Sequence, residues 1–427
     1  MSIQIIGASW LWVCDPNFSI LKDGGLLIQE GHIAQVGDYA HLVDSHPKAP
    51  SVFYPHCVLL PALINPHVHF EFSNQQNSFA YGSFEAWLTS VITQRNRVLR
   101  HVEKSITQAI NEQLKSGVAS VGAISSYGLD RTLLANSPLR VVFFDELIGA
   151  SPPIEPTLHA FQKRHALSLQ HKSPTFTPAI AIHAPYSVHK DLAKRVLSTL
   201  QSPVISAHFL ESQAELEWIE QQKGWFVRFY TDILGVPHPK PLYHSVAEFL
   251  DLFKNQRLLL VHGLFASKEH LRYAKSIAQP TLISCPRSNR LLSGQVLDLT
   301  PLEKLGIPFS IATDGKSSNY NLKFLEELRT ALFAHQAPLE ELAIQLVLGA
   351  TWHAAWALGL NNGSLQTGKL ADLAIFNFKG KGTPADALHW LLHAQKAKAL
   401  YVGGSWQSKP PPLFAPKCQS NPPLASV

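Results

Sequence analysis

The sequence predicts an α/β protein: a (β/α)8 barrel carrying a small β-sandwich domain built from both ends of the chain. Three observations predict it. Eight apolar, strand-like runs alternate with amphipathic helical segments through the middle of the chain, the arithmetic of a barrel of about 250 residues. Short apolar runs broken by glycine turns occupy both ends, as hairpins require. Polar residues gather where the central runs stop, the place where barrels put their active sites.

The first runs cover residues 3–6, 26–29 and 33–36, separated by Asp23-Gly24-Gly25 and Glu30-Gly31-His32. They read as a small antiparallel unit. Similar runs at 373–378 and 399–402, with a Gly403-Gly404 turn, occupy the other end. Pairing the two gives a composite β domain of residues 1–60 and 365–427 around a barrel of residues 61–364. The barrel runs are expected at 58–65, 118–124, 140–144, 178–183, 204–208, 258–262, 281–285 and 309–313. Helical segments such as 105–115, 192–200 and 213–223 lie between them. The apolar helical segment 339–358 reads either as a homodimer surface or as buried core. After Ser408 the chain carries Pro410, Pro411, Pro412, Pro416, Pro422 and Pro423. Such a tail cannot be helix interior or central strand, because proline lacks the backbone donor, and it is expected to wrap the surface or to be loose.

Composition excludes several classes. With 427 residues, 46% hydrophobic and 16% charged, the chain can bury a sizeable core and is not disordered. A net charge of +5 without any Lys/Arg block argues against nucleic-acid binding. No uninterrupted apolar stretch of about 18 residues predicts a membrane-spanning helix, and the opening residues lack the positive start of a secretory signal. Cys14, Cys57, Cys285 and Cys418 are far apart and form no CxxC pair. That favours a reducing cytoplasm over a disulfide framework or a cysteine-built zinc site. A cytoplasmic enzyme acting on a small molecule is the expectation.

The strand ends carry the chemistry. They read Asn65-Pro66-His67-Val68-His69, His183-Ala184-Pro185-Tyr186, His208-Phe209-Leu210-Glu211, His262-Gly263 and Thr313-Asp314-Gly315. Residues i and i+2 of a strand share a face, so His67 and His69 can reach one metal ion. His208 and Asp314 complete a set of three imidazoles and one carboxylate. That set suits a single divalent ion, zinc foremost, with iron or manganese as alternatives. Such an ion lowers the pKa of a water it holds. Glu211, three residues beyond His208, reads as the group that takes the water's proton and passes it to a leaving group; the alternative is an acidic residue favoured by a helix dipole. His262 reads as a group that steadies the attacking oxygen or the tetrahedral species, or else as a core histidine.

These motifs resemble the amidohydrolase superfamily, in its nucleoside-deaminase and chlorohydrolase branch. The matching segments are LLPALINPHVHFE, IHAPYS, SAHFLES, LLVHG, SCPRSNRLL, IATDGKSSNYN and GSLQTGKLADLAIFN, spread over nearly the whole chain. The resemblance implies one metal on His67, His69, His208 and Asp314, Glu211 as proton shuttle, and His262 as partner of the attacking oxygen. It implies that His183 meets the substrate and that Glu85 binds ribose hydroxyls. The 178–187 segment offers no lysine to bridge two ions, so a mononuclear enzyme fits better than a two-metal amidase. The paired cysteines of cytidine deaminases are also missing.

Within the branch the motifs resemble the aminofutalosine deaminases of the futalosine route to menaquinone. That resemblance implies that 6-amino-6-deoxyfutalosine and water give futalosine and ammonia. Such a substrate ends in an aromatic carboxylate, for which a planar guanidinium is the natural partner. Arg287, directly after Cys285-Pro286, is the candidate clamp, with Arg228 and Lys316 as alternatives and a salt-bridged structural role as the competing reading. Rival functions are deamination of S-adenosylhomocysteine, methylthioadenosine or adenosine, and hydrolysis of a triazine, guanine or cytosine. A catalytically silent barrel is disfavoured, because every candidate ligand is present.

Overall fold

The computed structural model describes residues 3–74, 77–383 and 385–407. The chain opens as an antiparallel meander of β1 (Ile3–Trp12), β2 (Ile20–Gln29) and β3 (His32–Asp38). The helix Tyr39–Ser45, capped by the Asp38 side chain, then carries the chain back across the sheet. β4 (Ser51–Pro61) therefore lies parallel to β1. The three runs read as an antiparallel unit pair that way, and the crossover adds β4 parallel to β1, so the small domain's sheet is mixed.

The run expected as one strand over 58–65 is divided between two sheets. β4 ends at Pro61 and β5 (Leu63–Val68) begins the barrel. The Ala62 N–H donates to the Asp372 carbonyl and the Leu63 N–H to the Gly117 carbonyl. The chain thus changes sheets within one residue.

The barrel continues through β6 (Val118–Ser125), β7 (Arg140–Leu147), β8 (Phe176–Ile182), β9 (Ile205–Phe209), β10 (Arg257–His262), β11 (Gln279–Ser284) and β12 (Phe309–Ile311). These eight strands stand in sequence order, and each neighbouring pair is parallel. Every residue of β6 and β7 is buried, as expected of strands covered on both faces. Along β7, Val141 and Phe143 join the large cluster with helix residues such as Ile106, Leu158 and Phe161, while Val142 and Phe144 join a second one with Leu259, Val261 and Ile283. That is the two-residue period of a strand between two apolar layers.

The first and last barrel strands meet largely through side chains. Asn65 Nδ2 donates to Thr313 Oγ1 at 2.8 Å and to Gln113 Oε1 at 3.1 Å. Its Oδ1 accepts from the Thr313 N–H at 3.2 Å, and the Asp314 N–H donates to the His67 carbonyl at 3.2 Å. Helices Leu339–Gly349 and Trp352–Leu358 cover the segment that read as dimer surface or core. Leu342, Ala343, Leu346 and Val347 are buried there, so its apolar face is core.

β13 (Leu373–Asn377), β14 (Ala399–Val402) and β15 (Ser405–Trp406) return to the small sheet, where β13 pairs antiparallel with β4. Asp372, at the return, forms a buried ion pair with Arg140 of β7 at 2.9 Å and also accepts from Asn362 at 2.8 Å. This ties the small sheet to the barrel. The proline-rich tail and Cys418 lie outside the described residues. No helix of the described residues is long and apolar enough to cross a membrane.

Asn65 is fully buried and occupies three hydrogen bonds at the seam. Asn65→Ala strands the partner groups without water, at about 1–3 kcal/mol for a buried group left unsatisfied. The thermal unfolding midpoint is expected to fall by several degrees. An unchanged midpoint would show that the seam does not depend on this amide.

Candidate active site

The candidate metal-holding and proton-moving side chains, with His183, sit at the C-terminal ends of barrel strands. His67 is in β5, with His69 one residue past its end. His183 follows β8, His208 lies in β9, Glu211 stands two residues beyond it, and His262 ends β10. Asp314 follows β12 by three residues. The parallel register sets Val261 beside His208 and His262 beside Phe209, which brings the two strand ends level.

The ring nitrogens and carboxylates converge. His69 Nε2 is 3.3 Å from His208 Nε2. His67 Nε2 and His69 Nε2 each lie 3.5 Å from Asp314 Oδ1. His262 Nε2 is 3.5 Å from Glu211 Oε1. All six side chains are buried. His67 has neither ring nitrogen hydrogen-bonded, and His262 Nε2 and Glu211 Oε1 are likewise without partners. Buried polar atoms are normally paired, so this concentration of orphaned donor atoms is where a missing partner belongs. Three nitrogens and a carboxylate oxygen are a fitting donor set for a divalent ion.

Surrounding residues fix the orientations. His208 Nδ1 donates to the His183 carbonyl at 3.0 Å, leaving Nε2 turned to the cluster. His262 Nδ1 meets Asn289 Oδ1 at 2.8 Å. Asp314 Oδ2 accepts from Ser318 Oγ at 2.6 Å and Ser288 Oγ at 2.9 Å, while Oδ1 accepts from the Gly315 N–H at 2.8 Å. Gly315 has no alternative at its position, since a Cβ there would lie 2.8 Å from the Cβ of His69. Leu210, His262 and Asp314 all adopt left-handed backbone angles, with φ of 45°, 70° and 56°. Such strain in non-glycine residues gathers at functional sites.

Electrostatics agree with this geometry. Burial first, then the neighbouring imidazole His67, pushes His69 down to about 3. Burial likewise pushes His183 down to about 4 and lowers His208 and His262. These imidazoles stay neutral and keep lone pairs free, as ligation requires. Burial opposes the Asp314 carboxylate, but the surrounding imidazoles outweigh it and hold it well below the ordinary range. Burial, and then the Asp314 charge, pushes Glu211 well up, which suits a group that must carry a proton.

The cluster lies in the wall of a cavity of about 410 Å³, lined by His69, His183, His208, Glu211, His262 and Asp314 among others. Phe72, Trp87, Leu88, Tyr186, Ile148 and Phe229 supply apolar surface. A mostly apolar cavity with a few convergent polar groups is the usual form of a small-molecule site.

A model of the amidohydrolase family matches residues 58–406. The chain belongs to the amidohydrolase family. As an amidohydrolase it is a hydrolytic enzyme. It is 45% identical over 405 residues to a protein named adenosine deaminase from Helicobacter pylori, covering 94% of this chain and 98% of that one. It is 37% identical over 395 residues to an aminodeoxyfutalosine deaminase from a Nitratiruptor species, covering 90% and 95%. Its fold matches a crystal structure of H. pylori aminofutalosine deaminase in complex with methylthio-coformycin, with a TM-score of 0.91, 44% identity and coverage of 94% and 99%.

Two substrate-contact expectations for this amidohydrolase are corrected. Arg287 does not line the cavity. Its backbone N–H and Nε bind Glu327 at 2.8 and 2.5 Å, its guanidinium reaches Asn321 Oδ1 at 3.0 Å, and it stacks 4.7 Å above the Tyr320 ring. It joins the helix Pro286–Leu292 to the helix Phe324–Ala334, because a buried guanidinium needs a carboxylate partner. Glu85 also lies outside the lining. It occupies the first turn of the helix Phe84–Val98, beside the Ser83 cap, where a helix dipole favours an acid. The same helix presents Trp87, Leu88, Val91, Ile92 and Arg95 to the cavity instead. Lys316, the other buried candidate, pairs with Glu112 at 2.9 Å.

Several supports escaped the sequence reading. Glu71 accepts backbone N–H groups of Ser126, Tyr127 and Leu129. Glu215 accepts those of Leu210 and Glu211 at 3.2 and 3.0 Å and so holds the turn that aims Glu211. Burial above all pushes its carboxyl up to about 8. Glu146, at the end of β7, lines the cavity 3.7 Å from His208 Nδ1 and is pushed up by burial to about 7. Acidic residues at strand ends are the signal for Glu71 and Glu146, and the four-residue spacing from Glu211 is the signal for Glu215.

Replacing a cluster member tests the fit. His67→Ala or Asp314→Asn is expected to lower divalent metal per chain far below the wild-type content, measured by elemental analysis, with turnover falling in parallel. Wild-type metal content in both variants would remove His67 and Asp314 from the ligand set.

Proposed function

We propose that the chain is a hydrolytic deaminase of a 6-aminopurine nucleoside, with 6-amino-6-deoxyfutalosine as its substrate and futalosine and ammonia as products. The observation that carries the chemistry is the placement of the buried Glu211 carboxyl, 3.5 Å from His262 Nε2, beside a cluster of imidazoles and one carboxylate in a single cavity wall. The substrate reading rests on the whole-length similarity to the two deaminases and to the ligand complex.

In this reading His67, His69, His208 and Asp314 hold one divalent ion, zinc by the softness and number of its ligands. When bound, the ion supplies a water acidic enough to attack near neutral pH. The purine stands against His183, beside the apolar wall of Trp87, Leu88 and Tyr186. Glu211 takes the water's proton as oxygen adds to C6, and gives that proton to ring N1. His262, fixed by Asn289, directs Nε2 at the adding oxygen and Glu211. The proton on the new hydroxyl passes through Glu211 to the amine, the C6–N bond breaks, and ammonia leaves a C6 carbonyl. The tight enclosure of Glu211 keeps this proton out of bulk water.

Glu211→Gln keeps the shape and removes the base. Turnover is expected to fall at least about a hundredfold, the scale of general acid–base groups, with metal content unchanged. Near-normal turnover would place the proton shuttle elsewhere. For the substrate, ammonia release is compared across aminofutalosine, methylthioadenosine, S-adenosylhomocysteine, adenosine, guanine and a chlorotriazine. The highest kcat/KM is expected for aminofutalosine. A higher value for any other compound would replace it as the substrate.

A further inference from the structure

The cavity wall holds a cation that the reaction does not use. Arg95, on the helix Phe84–Val98, is the sole lysine or arginine among the described residues lining the cavity. Among the described residues it forms no ion pair. The arginines that serve the fold do: Arg140 pairs with Asp372, Arg164 with Asp145 and Arg287 with Glu327. The neighbour of the Arg95 guanidinium is the Tyr127 phenol, whose ionised form it favours against burial. The carboxyl on that wall, Glu146, accepts from Ser126 Oγ at 2.5 Å through one oxygen and faces His208 Nδ1 at 3.7 Å with the other.

Position adds to this. Arg95, Ser126, Tyr127, Glu146 and Ile148 line both the site cavity and an adjoining one of about 500 Å³ that extends along Pro156, Ala160 and Arg164. None of the six cluster residues lines the second cavity. Arg95 therefore stands where the two meet, on the side where a substrate longer than a nucleoside has room to continue. A half-enclosed guanidinium above apolar surface is costly to desolvate unless an anion pairs with it, and its planar fork matches a carboxylate.

We propose that Arg95, with the Tyr127 hydroxyl beside it, binds a carboxylate on the part of the substrate that projects away from the purine, and so selects for an anionic nucleoside. This rests on the deaminase reading above and assigns its specificity to a residue other than Arg287. Arg95 takes no part in the bond changes; it is a specificity residue.

The test uses the metal-loaded enzyme and three substrates: aminofutalosine, its neutral carboxamide, and methylthioadenosine. Wild type is expected to favour the carboxylate over the carboxamide. Arg95→Gln is expected to lower kcat/KM for aminofutalosine about ten- to a hundredfold, the range for a hydrogen bond to a charged group. The loss falls mainly on KM, because the contact is made equally in ground and transition states. The carboxamide and methylthioadenosine are expected to react as before, and Arg95→Lys to restore part of the loss. Equal losses on all three substrates would make Arg95 a structural residue, and an undiminished preference for the carboxylate would move the anion site elsewhere. Either result overturns the assignment while wild-type turnover of aminofutalosine leaves the deaminase reading standing. A wild type that deaminates methylthioadenosine but shows no preference for the carboxylate would instead overturn the futalosine reading, and this proposal with it.

Discussion

Five imidazoles and two carboxylates share one dry barrel mouth, and the structure around them is arranged to make that tolerable. Burial pushes His69 down to about 3 and His183 down to about 4 and lowers His208 and His262, which keeps those four neutral. Asp314 alone is held firmly ionised. A single negative charge facing several lone pairs is unfavourable in a low-dielectric site. Two serine hydroxyls and the Gly315 N–H relieve it from behind, and a cation in front would complete it. Much of the surrounding hydrogen bonding exists to hold donors in this arrangement, from Asn289 on His262 to the His183 carbonyl on His208.

The barrel seam follows from the same constraint. Asn65 and His67 lie in the first barrel strand and Asp314 three residues past the last, so the cluster cannot form unless the barrel closes there. Closure uses a side-chain amide in place of a full ladder. Asn65 makes the bonds that a longer β12 would have made, and leaves Thr313 to Gly315 free to turn back toward His69. The left-handed angles at Leu210, His262 and Asp314 are the local cost of pointing the ends of β9, β10 and β12 at one place.

The barrel and its strand-end histidines were legible because their signals are local: a two-residue spacing, an apolar run, a polar residue where the run stops. The division of 58–65 between two sheets was not, since nothing in an unbroken apolar run marks a change of partner; Asp372, more than three hundred residues away, decides it. The parallel pairing of β1 and β4 was hidden for the same reason. Arg287 was misread because a position beside a strand end gives no direction to its side chain. The carboxylate that claims it, Glu327, comes from a helix forty residues later. Glu85 sits in the first turn of its helix, short of the cavity, although Leu88, Ile92 and Arg95, which line it, share its face three, seven and ten residues on.

That helix separates two tasks that a deaminase must keep apart. The strand ends present groups that are buried, mutually oriented and intolerant of movement, because proton transfer depends on distances of a few tenths of an ångström. The wall formed by Trp87, Leu88, Val91, Ile92 and Arg95 comes from an element outside the barrel sheet. It touches the cluster's surroundings through Trp87, whose Nε1 donates to the Ser317 carbonyl at 2.9 Å. The cluster of histidines and carboxylates therefore belongs to the barrel, while much of the cavity's apolar wall belongs to a helix outside its sheet. Arg95, which makes no ion pair among the described residues, stands on that helix where the site cavity meets the adjoining one.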